Sequence, residues 1–276
     1  MTRVGFIGLG SQGGPMARRI IDARYPTTLW ARHPATLEPF AGTAAGVAAS
    51  RAELGASCDV LCICVVDDEG VDEVLRSADG VLASMAVGST VVVHSTVHPA
   101  TCLRLQEDFP ALRILDAPVS GGGYRAAAGE LLVMAGGPAD VVEQCRPILQ
   151  TYGNPVLHVG PLGAGQEAKV LNNAVFTAQL ALAAEVFELA TAGHVDRHAM
   201  ATVLAAGSGR SYAGEVVAGG GFNLDGLAPI AGQLLAKDVG ILAAHTALSR
   251  STLLDTADAA LARMGVPRNA RPPGWP

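Results

Sequence analysis

Two sets of residues in this chain have the types and spacing to do chemistry. The first is Gly8-Leu9-Gly10-Ser11-Gln12-Gly13, a G-x-G-x-x-G run between the apolar stretch Val4–Ile7 and a helix-forming stretch, residues 15–23. In that order Gly8 permits a tight turn, Gly10 lets the backbone approach a pyrophosphate, and Gly13 lets helix and strand pack closely. The helix N-terminus adds amide donors and partial positive charge. The pattern predicts a bound dinucleotide. The second set is Lys169 and Asn173, four residues apart in a stretch of helical period and therefore on one face. Two influences lower the pKa of a lysine in the first turns of a helix: the positive end of the dipole, and burial beneath a substrate. A lysine exchanging a proton near neutral pH suits carbonyl–alcohol chemistry. On spacing alone, a snorkelling surface lysine remains the alternative.

The identity of the dinucleotide is written about 20 residues past the glycines, where NAD-binding proteins carry an acidic residue for the ribose 2′-hydroxyl. Between Thr28 and Leu37 there is no Asp or Glu, but there is Arg32. A carboxylate repels a 2′-phosphate, whereas a guanidinium pairs with it bidentately. NADP(H) is therefore expected over NAD(H), with a solvated loop arginine as the other reading.

The elements that must position these groups follow from periodicity. Apolar runs at 4–7, 27–30, 60–66, 90–93, 112–115 and 131–135 alternate with helical stretches such as 71–82 and 99–108. This alternation predicts an α/β fold with a doubly wound, mostly parallel sheet. Ligands of such sheets lie at the carboxyl ends of the strands. That rule gathers Val65, Val66 and Asp67, Ser95 and Thr96, and Pro118, Val119 and Ser120 near one another and near the dinucleotide. From Gly163 the strand signals stop. Residues 166–192 contain no Gly or Pro and read as one apolar helix about 40 Å long. Such a helix is too apolar to stand free and is expected to be the spine of an all-helical domain and part of a dimer interface. Asp196 caps a shorter helix over 196–206, and 224–248 holds another that carries Lys237 and Asp238. The glycine-rich stretch 213–226 reads as a loop and the proline-rich 269–276 as frayed. The expected domains are 1–162 for the dinucleotide and 163–276 for substrate and dimerisation.

Composition narrows the classes. Half of the 276 residues are hydrophobic and 16% are charged, which suits a large core and a buried subunit interface. The net charge of −6 argues against nucleic acid and anionic membranes as partners. No uninterrupted apolar run reaches the roughly 18 to 20 residues of a membrane span. The five cysteines follow no disulfide spacing, and Cys62 and Cys64 alternate within a buried-strand pattern, so core packing is expected there rather than metal. His194 and His198 are four apart but lack the glutamate of a zinc helix; no metal is expected. A first strand at Val4 leaves no room for a targeting segment, and the cysteine usage suits the reducing cytoplasm.

Four ordered motifs then carry a resemblance: Gly5-Phe6-Ile7-Gly8-Leu9-Gly10; Asp116-Ala117-Pro118-Val119-Ser120-Gly121-Gly122; the run from Gly163 to Asn173 (GAGQEAKVLNN); and Lys237-Asp238. Together, over nearly the whole chain, the sequence resembles the β-hydroxyacid dehydrogenase family. The family includes 3-hydroxyisobutyrate dehydrogenase, tartronate semialdehyde reductase, glyoxylate/succinic semialdehyde reductase and, more distantly, 6-phosphogluconate dehydrogenase. The resemblance implies a Rossmann-type N-terminal domain, an all-α C-terminal domain, and a homodimer or homotetramer. It implies interconversion of a small carboxylate-bearing β-hydroxy acid and its semialdehyde or keto acid. Lys169 matches the family's catalytic lysine and Asn173 the asparagine that helps hold the substrate. Ser120, Gly121 and Gly122 match the segment that grips the substrate carboxylate, while Thr96 and Lys237 match positions bordering nicotinamide and substrate. The dinucleotide would be held by Gly8, Leu9, Gly10, Ser11, Gln12, Gly13, Arg32, Val65, Val66, Asp67, Thr96 and Lys237. The chain departs from the family at Gln12 (usually Met), Val93 (usually Asp), His98 (usually small) and Arg125 (usually Gly). Arg125 signals either a more acidic substrate or a solvent-facing cation. Two rivals remain: an imine reductase of the same architecture, whose members generally lack the lysine, and a non-catalytic NADP(H)-binding oligomer.

Overall fold

The computed structural model describes residues 1–77, 79–247 and 251–268. It opens with β1 (Val4–Ile7), α1 (Gly13–Asp22), β2 (Thr27–Trp30), β3 (Gly46–Val47), α2 (Arg51–Ser57), β4 (Val60–Ile63), α3 (Asp68–Arg76), β5 (Thr90–Val93), α4 (Pro99–Asp108) and β6 (Arg113–Asp116). The strands lie in the order β3-β2-β1-β4-β5-β6, each pair parallel. Every residue of β1, β4 and β5 is buried, as expected of strands covered on both faces. The order reverses at β1, whose neighbours are β2 and β4. A crevice for ligand opens at such a reversal, beyond the carboxyl ends of the strands. The fold is a Rossmann-type doubly wound sheet.

The sheet continues with β7 (Val119–Ser120), α5 (Gly122–Ala128), β8 (Leu131–Gly136), α6 (Ala139–Leu149) and β9 (Gly153–Gly160). β8 runs antiparallel to β6 and β7, and β9 runs parallel to β8. Phe6, Met16, Ile20, Leu29, Leu115 and Tyr152 fill one side of the sheet; Leu54, Leu61, Ile63, Val91 and Ile114 fill the other.

Among the described residues only helices follow: α7 (Ala164–Ala192), α8 (Arg197–Ala206), α9 (Tyr212–Gly219), α10 (Gln233–His245) and α11 (Thr252–Arg263). Val170, Ala174, Ala181 and Phe187 of α7 pack with Val217, Val239 and Leu261 of its neighbours. α7 is long and apolar enough to cross a membrane by length and mean composition, although polar residues such as Asn173, Gln179 and Glu185 interrupt its apolar run, as expected. Half of its apolar window is buried within the protein.

Contacts divide the chain into two compact units, Met1–Lys169 and Val170–Pro276, so the division falls inside α7 rather than ahead of it. The physical reason is that the first turn of α7 is tied to the sheet, as described below. Other differences from the sequence expectations are local. The stretch 213–226 is not all loop: α9 forms because the Ser211 side chain accepts from the Gly214 amide and Ala213, Gly214 and Val217 are buried. The helix expected over 71–82 starts at Asp68 and ends at Arg76. The helix expected over 224–248 is regular only from Gln233 to His245, behind a π-helical turn at Ala228–Gly232 that contains Pro229. Asp196 caps α8 through the Ala199 amide. Leu248 and residues 269–276 lie outside the described residues.

Candidate active site

The glycine loop follows β1 directly. Gly8 has φ +94°, and a Cβ there would lie 2.1 Å from the Cys64 carbonyl oxygen; a Cβ on Gly13 would lie 1.9 Å from the Gly8 carbonyl oxygen. Gly8 and Gly13 are therefore needed to close the loop onto β4 and α1. Gly10 is different: it is exposed, and a Cβ there meets nothing within 4 Å. Open space at the middle glycine, beside the N-terminus of a ten-residue helix, suits a dinucleotide pyrophosphate. Leu9 and Gln12 are half-buried, Gln12 standing at the N-cap of α1, and Ser11 is exposed. A Cβ on Gly123 would lie 2.3 Å from the Ser11 carbonyl, so the start of α5 abuts this loop. Ser120 and the two positive-φ glycines, Gly121 (φ +134°) and Gly122 (φ +71°), lead into that helix start. Only glycine adopts two such conformations in succession readily, and they form the concave backbone that binds anions. The exposed Arg125 lays its stem against Gly121, where an added Cβ would lie 2.8 Å from the arginine Cδ.

Arg32, two residues past β2, does not stand alone. It forms an ion pair with Glu73 of α3, both side chains about half exposed. The sequence window around Arg32 is free of carboxylates, but the fold imports one from 41 residues away.

The carboxyl ends of β4, β5 and β6 are wired to the start of α7. Asp116, the last residue of β6, is fully buried and accepts from the Gly163 and Gln166 amides, each at 2.7 Å. It satisfies two of the amides that a helix start leaves over, and its charge opposes the helix dipole. Burial pushes its carboxyl above the usual carboxylate range, while the amides pull it back. Gln166 is also fully buried. Its Nε2 donates to the Ser95 carbonyl (2.8 Å) and its Oε1 accepts from the Val97 amide (3.0 Å), so one side-chain amide brackets Thr96. The Ser95 hydroxyl in turn accepts from the Val65 amide (2.9 Å). Lys169 lies three residues beyond Gln166, half-buried.

In the acidic run, Asp67 caps α3 through the Gly70 amide (2.9 Å), and Val66 and Glu69 are exposed. Asp68 accepts from the His98 amide (3.0 Å) and the Thr101 hydroxyl (2.6 Å) and so fixes the first turn of α4. His98 itself accepts from the Ala100 amide through Nδ1 (3.1 Å), the work of a helix cap. Beneath these loops His94 is buried. It donates from Nδ1 to the Ala117 carbonyl (2.7 Å) and accepts from the Tyr152 hydroxyl at Nε2 (3.1 Å). Burial pushes its pKa down to about 4.

In the helical unit, Asp238 joins two of the expected site residues. One carboxylate oxygen accepts from Asn173 Nδ2 (2.6 Å) and the other pairs with the Lys237 ammonium (2.7 Å). With its NH₂ group committed to a carboxylate, Asn173 serves as an acceptor through Oδ1, which takes a hydrogen bond from Asn172 Nδ2 (3.1 Å) and has a second lone pair for a hydroxyl or an ammonium. Sequence reasoning assigned no role to Asp116, Gln166, Asp238, Asp68, His94 or Glu73. Asp116, Gln166 and Asp238 do stand inside the recognised motifs, the one signal that could have flagged them.

Comparison with known proteins gives the family. Residues 3–160 match the family model of the NAD-binding domain of 6-phosphogluconate dehydrogenase. Residues 163–264 match that described as NAD-binding of NADP-dependent 3-hydroxyisobutyrate dehydrogenase. The chain is 32% identical over 250 residues to an NAD-dependent L-serine dehydrogenase of Pseudomonas aeruginosa, covering 87% of this chain and 84% of the relative. Among solved structures, a Mycobacterium tuberculosis 3-hydroxyisobutyrate dehydrogenase with L-serine superposes with TM-score 0.85 at 26% identity, covering 96% of this chain and 94% of that one. Psf3 in complex with NADP+ and 2-OPP superposes with TM-score 0.83 at 27% identity, covering 97% and 96%.

Proposed function

Because the chain belongs to the 3-hydroxyisobutyrate dehydrogenase type of the β-hydroxyacid dehydrogenase family, and is an NAD(P)-dependent oxidoreductase, we propose that it interconverts a small β-hydroxy acid and its semialdehyde or keto acid, preferring NADP(H) and moving the proton on Lys169. The observation that carries the reading is the clamp at the start of α7. Gln166 binds the backbone on both sides of Thr96 three residues before Lys169, making one rigid piece of loop and helix turn.

The bound dinucleotide supplies or accepts the hydride. In the proposed roles, the glycine-loop amides and the N-terminus of α1 hold its pyrophosphate, Val65–Asp67 and Thr96 line its length, and Arg32 takes the 2′-phosphate. The Ser120 hydroxyl and the Gly121 and Gly122 amides grip the substrate carboxylate. The Lys169 ammonium gives a proton to the carbonyl oxygen in reduction, and the neutral amine takes it back in oxidation. Asn173, anchored by Asp238, orients the reacting hydroxyl, and Lys237 is anchored on the same carboxylate. L-Serine and 3-hydroxyisobutyrate are the first substrates to offer, since relatives carry those names.

A homodimer is part of the same proposal, with a homotetramer as the alternative. Its support is the outer stripe of α7: Val175, Leu182 and Leu189, seven residues apart in turn, are 43, 54 and 63% exposed. Soluble chains usually cover such a stripe, here with a second copy.

The test is turnover with NADPH and NADH against both hydroxy acids, a panel of semialdehydes and a cyclic imine, together with dissociation constants for the two dinucleotides. NADPH is expected to bind at least tenfold more tightly, and Arg32→Ala to remove most of that difference. Equal constants in the parent refute the NADP(H) preference. Faster turnover of the imine than of any semialdehyde favours the imine reductase, and no turnover of any substrate favours the non-catalytic module.

A further inference from the structure

The Arg32–Glu73 pair bears on how far this chain discriminates between the two dinucleotides. Arg32 stands two residues past the end of β2, the place where a Rossmann-type protein reads the adenosine ribose. Glu73 is brought to it by a built contact, not by chance on the surface. The Arg51 guanidinium, its side chain only 12% exposed, lies 5.3 Å over the Trp30 ring at the end of β2 and donates to the Glu73 carbonyl (3.1 Å). That contact fixes the backbone of Glu73 beside β2, leaving its carboxylate on Arg32.

We infer that Glu73 is a specificity-determining residue: it holds Arg32 in the ligand-free protein and sets how tightly a 2′-phosphate is bound. The inference rests on the reading that Arg32 faces the adenosine ribose. A 2′-phosphate carries between one and two negative charges at neutral pH. To reach Arg32 it must take the guanidinium from Glu73 and then sit near a displaced carboxylate. A 2′-hydroxyl demands neither. With NAD(H), Glu73 keeps its partner, and a carboxylate in this place is of the type that accepts from ribose hydroxyls. The same two side chains therefore narrow the gap between NADP(H) and NAD(H) from both ends. Arg32 alone would make the protein strongly selective; the pair makes it more even-handed.

The experiment measures dissociation constants of NADPH and NADH by nucleotide fluorescence or calorimetry for the parent, Glu73→Gln, Arg32→Ala and the double variant, at low salt and at 0.5 M salt. Glu69→Gln, an exposed residue on the same helix, controls for the change in net charge. Exposed charge pairs are weak, so the expected gain is about three- to tenfold tighter NADPH binding in Glu73→Gln at low salt. The gain should shrink at high salt and be absent on the Arg32→Ala background and in Glu69→Gln, with NADH binding unchanged or up to threefold weaker. NADPH binding within a factor of 1.5 of the parent, an equal gain for NADH, or a gain that survives Arg32→Ala overturns the inference. The outcomes separate it from the NADP(H) preference itself. A parent that binds both dinucleotides equally, but shifts to NADPH in Glu73→Gln, refutes the preference and upholds Glu73. A selective parent that is indifferent to Glu73→Gln does the reverse.

Discussion

Gln166 offers the sharpest test of how the lysine-bearing helix is attached to the sheet. The amide serves two groups of the Ser95–Val97 loop, and Gln166, Ser95 and Val97 are 0, 2 and 0% exposed. Gln166→Leu keeps the bulk but strands the Val97 N–H and the Ser95 carbonyl. At roughly 1 to 3 kcal/mol for each buried group left unsatisfied, the loss should be about 2 to 6 kcal/mol, a large part of a typical domain's stability. Gln166→Glu is more diagnostic. One carboxylate oxygen still accepts from Val97, but the other faces the Ser95 carbonyl, acceptor against acceptor, unless the carboxyl is protonated. Its pKa in the folded protein should thus rise above the unfolded value of about 4.3. The folded state then binds more protons than the unfolded one above that value, so stability falls as pH rises. Urea unfolding should place Gln166→Glu within about 1 kcal/mol of the parent at pH 5. At pH 8 it should be about 3 to 5 kcal/mol less stable, the scale of an uncompensated buried charge. A Leu variant that costs under about 1 kcal/mol, or a Glu variant with the same deficit at both pH values, would refute the clamp.

Three further outcomes are expected. Lys169→Ala should leave NADPH binding near the parent's and cut kcat by about 10² to 10⁴, with no rescue in Lys169→Arg because a guanidinium keeps its proton; stopped-flow reduction of the best semialdehyde checks this, and a loss of threefold or less contradicts it. Stability should fall as pH drops from about 6.5 toward 4, because His94 stays neutral when folded, with a pKa of about 4, while the unfolded chain's histidine takes a proton near 6.5. That shift amounts to about 3 kcal/mol, and a His94→Asn variant, compared with the parent in urea across this window, should lack that share of the slope. Leu182→Glu should convert the sedimenting species from dimer toward monomer, and a parent that already runs as a single 28 kDa species at micromolar concentration removes the dimer.

The sheet was legible because its central strands are short, continuous apolar runs between glycine or helical stretches, and burial on both faces leaves no other composition. α9 was not, since Gly214 and Gly219 read as loop residues until tertiary burial of Ala213 and Val217 decides otherwise. At the site, residue types and local spacing announced the glycine loop and the Lys169–Asn173 pair. What they did not announce is who holds whom. Asp116 meets Gln166 across 50 residues, Gln166 meets Ser95 across 71, Asn173 meets Asp238 across 65 and Arg32 meets Glu73 across 41. Such pairings depend on the packing of whole elements and leave no periodic trace in a single chain.

The three glycines after β1 answer to two different filters. Any side chain at Gly8 or Gly13 collides with backbone, so a substitution there is rejected at the folding step, before a ligand is met. At Gly10 a methyl group has room, so Gly10→Ala should fold as the parent does and fail only when a nucleotide arrives. That makes position 10 a separation-of-function site. A variant changed there should keep the parent's fold and lose only its cradle, and so separate what the folded chain does by itself from what it does with a nucleotide bound.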